Sequence, residues 1–178
     1  MVSGGHQATE IRLEQPADIA AIRNVNDRAF GRPTEGAVIE QLRGTCDGLL
    51  SLVAAVNGQV VGHVLFSPTR LETEDGRTIS GAGLAPVAVL PEWQRRGIGS
   101  DLIRAGLLSL QQTDCPFVVV LGHPGYYPRF GFEPASRHGI RCQWDVPDEA
   151  FMLLVLDEGK MRGVSGMARY RSEWDAAT

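Results

Sequence analysis

The chain has 178 residues, 43% of them hydrophobic and 21% charged, which is enough for one domain to bury a core without disulfides or metal. A formal charge of −4 argues against a general nucleic-acid binder, because phosphate backbones select basic faces. The cysteines Cys46, Cys115 and Cys142 are odd in number and far apart, pointing to a reduced, cytoplasmic setting. Neither a signal peptide nor an apolar run of bilayer length is read, so no membrane partner is expected.

Residues 1–8 are small and polar and are expected to form a flexible tail ahead of one domain over 9–178. Thr9–Leu13 alternates polar and apolar side chains and predicts a strand. Pro16-Ala17-Asp18 opens a helix that carries Ile19, Ile22, Val25 and Phe30 and breaks at Gly31-Arg32-Pro33. Thr34 is the expected N-cap of a second helix running to Arg43. Leu50–Val56, Asn57-Gly58 and Val60–Phe66 form a strand, a two-residue hairpin turn and a returning strand.

Glu74–Arg77 reads as another turn. Leu84–Leu90 reads as a strand that must be bulged or unpaired at Pro86, because proline has no amide for a ladder. Ile98–Gln112 has helical apolar spacing. Phe117–Leu121 is a continuous apolar run, suited to a strand covered on both faces. A short helix follows at Tyr126–Phe130. Two final strands, Phe151–Leu156 and Val164–Tyr170, are joined across Glu158-Gly159-Lys160. The whole order is mixed α/β (α+β), with hairpins on one side and a strand–helix–strand unit in the middle.

The chemistry concentrates in Leu90-Pro91-Glu92-Trp93-Gln94-Arg95-Arg96-Gly97-Ile98-Gly99-Ser100. Here a strand ends, a turn carries two arginines and two glycines, and a helix begins. First-turn amides of a helix lack internal partners, and the helix dipole makes them an anion site. Glycine lets a phosphate approach the backbone, and guanidinium suits phosphate oxygens. The segment does not match the Walker A loop or the Gly-x-Gly-x-x-Gly dinucleotide turn, and the histidines form no zinc motif.

This segment resembles the acetyl-coenzyme A signature of the GNAT superfamily of N-acetyltransferases, Gln/Arg-x-x-Gly-x-Gly/Ala. Tyr127-Pro128-Arg129-Phe130-Gly131-Phe132 matches the family's downstream Tyr-x-x-x-Gly-Phe. Gly122–Tyr127 together with Gly163–Gly166 is similar to the YhbS-like subgroup of predicted acetyltransferases. The resemblance implies a mostly antiparallel central sheet with flanking helices and two splayed central strands. Acetyl-CoA is the implied donor. Val87, Ala88 and Val89 would meet its pantetheine arm, and Gln94, Arg95, Arg96, Gly97, Ile98, Gly99 and Ser100 its diphosphate. Tyr127 would be the general acid toward the sulfur.

The acceptor is expected to be a primary amine on a small molecule or peptide, with Glu35, His63 and His123 as candidate contacts or base, and no metal. The family's habits make a homodimer possible. The competing reading is a non-catalytic acyl-CoA sensor or interaction module, which would keep the same glycine turn.

Overall fold

A computed structural model describes residues 8–178; nearly all of the expected tail lies outside that range. Among the described residues nine strands share one sheet: β1 (Glu10–Leu13), β2 (Leu50–Val56), β3 (Gln59–Thr73), β4 (Thr78–Val89), β5 (Phe117–Leu121), β6 (Glu133–Pro134), β7 (Ile140–Cys142), β8 (Phe151–Val155) and β9 (Gly166–Arg169). The helices are α1 (Ile19–Phe30), α2 (Thr34–Thr45), α3 (Ile98–Gln111) and the single turn α4 (Glu158–Met161).

The main path runs β1-β2-β3-β4-β5-β8-β6. All of its pairs are antiparallel except β4 with β5. β9 pairs with the far end of β3, beyond the stretch β2 occupies, and carries β7 in parallel. Asn57 and Gly58 take φ values of 50° and 79°, the left-handed pair that a two-residue hairpin turn requires.

α3 and α1 cover opposite faces of the sheet. Gly62 faces Ile98 and Leu102 of α3, whereas the next residue, His63, faces Asn26 of α1. Side chains alternate along β5 in the same way. Val118 and Val120 enter the core under α3, and Phe117 and Val119 enter the core under α2. Burial on both faces is why that strand is an unbroken apolar run.

The feature that positions the site is a parting of strands. β4 and β5 pair only where Ala82–Leu84 meets Val118–Val120. Beyond Leu84, β4 continues to Val89 against β3 alone, with a register shift between Val64 and Phe66. The extra residues lie at Ala85–Pro86, where the proline has no amide to pair, so the expected irregularity at Pro86 is present.

Several expectations need correction. Thr34 is the first helical residue, not the cap; Pro33 precedes it with φ −86° and no side-chain cap bond forms. β3 and β4 are both longer than Val60–Phe66 and Leu84–Leu90. Gly81 and Gly83 disguise the start of β4, although the glycines are there because the Phe117 and Tyr170 rings occupy the space of their missing side chains. The last two strands do not pair with one another: β8 adds to β5 and β9 adds to β3. β6, β7 and the closing helical turn Ser172–Ala176 carry no periodic apolar signal.

Candidate active site

Two clefts meet where β4 leaves β5. The first, about 560 Å³, lies over the end of β4 and the start of α3. Leu90 donates its amide to the Val61 carbonyl at 2.9 Å. By the alternation of an antiparallel ladder, the backbone groups of Val87 and Val89 then face the gap left by β5. The Val87 and Val89 side chains line the same cleft. Ala88 points the other way and is 2% exposed, so its side chain does not reach it.

The turn after β4 is shaped by two left-handed residues, Arg95 at φ 60° and Gly97 at φ 85°. Gly97 is the N-cap of α3, and the first bond inside the helix runs from the Asp101 amide to the Gly97 carbonyl at 3.0 Å. The amides of Ile98, Gly99 and Ser100 therefore open outward at the positive end of the helix. Backbone curled in this way gathers amides into an anion-binding concavity. A side chain on Gly99 would begin 3.6 Å from the Tyr126 hydroxyl and 3.7 Å from the methyls of Val87 and Val89. That places the bare glycine on the cleft wall, and the donor set suits a phosphorylated ligand.

Gln94 ties the turn to the strand, its Nε2 donating to the Val89 carbonyl at 2.9 Å. Arg95 lines the cleft. Arg96 instead folds back: it donates to the Glu92 carbonyl at 3.0 Å and its guanidinium lies 4.8 Å from the Trp93 ring centroid. Two residues not singled out from the sequence also join the wall. Tyr126 bonds the Ser100 hydroxyl at 3.0 Å. Arg129 lies 4.5 Å from the Tyr126 ring and donates to the Tyr126 carbonyl at 2.8 Å. Arg129 sits inside the tyrosine motif, and its charge beside a proposed phosphate site was the signal available.

Tyr127 stands where the two clefts join and lines both. Its amide and that of Tyr126 donate to the His123 carbonyl. Its ring packs edge-on against Phe132 at 5.8 Å and fills the space a side chain at Gly122 would take. Burial, with the neighbouring Tyr126 adding to it, pushes the Tyr127 phenol up to about 12. It therefore stays protonated at neutral pH and can donate but not accept a proton.

The second cleft, about 240 Å³, is walled by the ends of α1 and α2, by Leu84–Val87 and by aromatic residues near the C-terminus. Glu35 lies on this wall, 5% exposed, with its carboxylate held by Arg32 at 2.5 Å. His63 is not brought to either cleft. It is fully buried, with Nδ1 3.1 Å from the Asn26 amide nitrogen and Nε2 2.9 Å from the Ser51 hydroxyl. Ser51 bonds Glu14, which Arg43 pairs at 2.7 Å. Burial drives the His63 imidazole down to about 3, so it is neutral at neutral pH. His123 contributes its carbonyl to the tyrosine turn, and its side chain lines neither cleft. Among the described residues no group of histidine, cysteine and carboxylate side chains is arranged to hold a metal, and no helix is long and apolar enough to cross a membrane.

A mixed sheet parted at β4 and β5, with an anion-binding turn beside the opening and a protonated tyrosine across it, is the framework of an N-acetyltransferase. The profile of the Acetyltransferase (GNAT) domain matches residues 10–135. The chain is 36% identical over 166 residues to the uncharacterized N-acetyltransferase YhbS of Escherichia coli, covering 93% of this chain and 98% of that protein. It is 40% identical over 140 residues to the uncharacterized N-acetyltransferase YjhQ of the same organism, covering 77% of each. The chain belongs to the GNAT family.

Solved structures agree. The crystal structure of Escherichia coli YhbS in complex with CoA superposes with a TM-score of 0.85 at 35% identity, over 94% of this chain and 92% of that one. A GNAT family acetyltransferase from Brucella melitensis in complex with acetyl-CoA gives 0.75 at 35% identity, over 96% and 100%.

Proposed function

We propose that this chain transfers the acetyl group of acetyl-CoA to a primary amine by direct attack, residues 9–178 acting as one catalytic domain. The observation that carries the reading is the meeting of two clefts at Val87 and Tyr127, one suited to a phosphorylated donor and the other to an acceptor. CoA and acetyl-CoA in two relatives about one-third identical support the choice of donor. Bound acetyl-CoA supplies an acetyl thioester open to a neutral amine.

The chain's own residues supply the rest. The amides of Ile98, Gly99 and Ser100 hold the diphosphate, with Arg95 and Arg129 at the rim. The free edge of β4 at Val87 and Val89 aligns the donor's arm, and proximity of the two substrates lowers the barrier. Tyr127 holds a proton at its phenol oxygen for the departing sulfur. Glu35 is engaged by Arg32, and the amine's own proton leaves to solvent.

The test pairs calorimetry with thiol release. Tyr127→Phe should bind acetyl-CoA within about twofold of wild type and lose roughly 100-fold in kcat, the scale of general acid catalysis. Wild-type turnover in that variant removes Tyr127 from the chemistry. Tight acetyl-CoA binding with no thiol release from any amine would favour the sensor module.

A further inference from the structure

The acceptor cleft has an unusual wall. Trp144 packs on Tyr170 with ring centroids 5.1 Å apart at 31°, and Phe30 and Trp174 line the same space. Both indole N–H groups have partners within the protein: Trp144 donates to Asp175 at 3.0 Å and Trp174 to the Ser67 hydroxyl at 3.4 Å. Indole has no other polar atom, so these rings offer a ligand apolar surface only. Their hydrogen bonds also fix the walls before anything binds.

Besides Tyr127 and Thr178, whose hydroxyl already donates to the Trp174 carbonyl, two polar side chains remain. Glu35 is the acidic side chain among the described residues of the wall, and Arg32 neutralises it. A ligand rich in ammonium groups finds no unpaired acidic side chain there among the described residues. The other group is the Tyr170 hydroxyl. It is buried, and its O–H finds no acceptor within hydrogen-bond distance among the described residues. The Leu121 backbone and Tyr127 lie close to it, and both belong to the same cleft. Burial holds this phenol well above its ordinary value, so it is a donor awaiting an acceptor. Leaving such a group unpaired costs free energy that a ligand oxygen can restore.

Size completes the picture. A cavity of about 150 Å³ suffices for benzene, and this cleft of about 240 Å³ has space for one ring and a short arm. Building on the acetyltransfer reading, we propose that the acceptor is a compact aryl-alkyl amine carrying one oxygen that takes a hydrogen bond from Tyr170, which makes Tyr170 a specificity-determining residue.

The test compares phenylethanolamine, its deoxy analogue phenethylamine, spermidine and kanamycin. In wild type, phenylethanolamine should have the lowest KM, roughly tenfold below phenethylamine, the worth of one good hydrogen bond. Spermidine and kanamycin should have lower kcat/KM than either aryl amine. Tyr170→Phe should erase the preference for the oxygen while leaving the KM for acetyl-CoA unchanged. A preference that survives in Tyr170→Phe, or a polyamine or aminoglycoside that outperforms the aryl amines, overturns the proposal.

If Tyr170→Phe does not fold, Trp144→Leu serves instead: aryl amine binding must weaken, and unchanged binding overturns the assignment. Calorimetry of phenylethanolamine with CoA present reads the cleft without turnover. Binding without thiol release upholds the cleft and removes the transfer reading. Release with spermidine alone does the reverse.

Discussion

The two clefts that meet at Tyr127 are built in opposite ways. The donor side is mostly one continuous segment, Val87 to Ser100, and offers backbone amides, two left-handed residues and a bare glycine. The proposed acceptor side draws side chains from α1, α2, β4, β5 and the last 35 residues or so, mostly apolar and aromatic as small-molecule pockets are. A donor common to many enzymes can be gripped by atoms every residue possesses. An acceptor particular to one enzyme is met by side chains free to vary without disturbing the turn.

That contrast breaks most readily at Gly99. Gly99→Leu puts a branched side chain into the donor cleft, toward Val87, Val89 and Tyr126. Acetyl-CoA affinity should fall roughly 100-fold, equivalent to about 2.7 kcal/mol, with amine binding to the acceptor cleft unchanged by calorimetry. Equal losses on both sides would mean that the clefts are not separable.

A smaller effect is expected at the junction. A methyl group in Gly122→Ala collides with the Tyr127 ring, and displacing the proposed proton donor by a fraction of an ångström should lower kcat. A drop of roughly tenfold is expected, with acetyl-CoA affinity preserved. Stopped-flow thiol release against calorimetry separates the two quantities, and an unchanged kcat would show that the ring position does not matter.

The smallest effect belongs to a region serving neither cleft. His63 is pinned by Asn26 and Ser51 beside Glu14 and Arg43. Its folded value of about 3 lies below the ordinary value of 6.5. The unfolded chain therefore takes up a proton first as pH falls. The associated stability is full above 6.5 and is lost progressively down toward 3. Between about pH 7.5 and about pH 5.5 the loss should be about 1 kcal/mol, visible in urea midpoints. His63→Gln, which does not titrate, should flatten that slope. An equally steep slope in the variant would assign the effect to other groups.

The hairpin, the strand-to-helix turn and the doubly covered strand were legible because their signals are local. Asn57-Gly58 sets a hairpin by its own backbone preferences, and Gly97 with the residues beside it sets a strand-to-helix turn. The Phe117–Leu121 run announces burial on both faces. The acceptor side was not legible. Glu35 was named from its charge alone, and nothing in the sequence tells that Arg32 would occupy its carboxylate. His63 looked like a candidate base until its place between α1 and β2 became visible. Tyr170 and Trp144 lie 26 residues apart and meet because β7, just before Trp144, runs parallel to β9, just before Tyr170.

The sequence by itself determined the turns, the buried strand, the bulge at Pro86 and the glycine-capped start of α3, since each rests on the local pattern of a few neighbouring residues. Tertiary structure alone decided which face each side chain took, where β8 and β9 were added, and which polar groups were left unpaired. Those outcomes depend on contacts between residues far apart in the chain, and no local pattern encodes the register that brings them together.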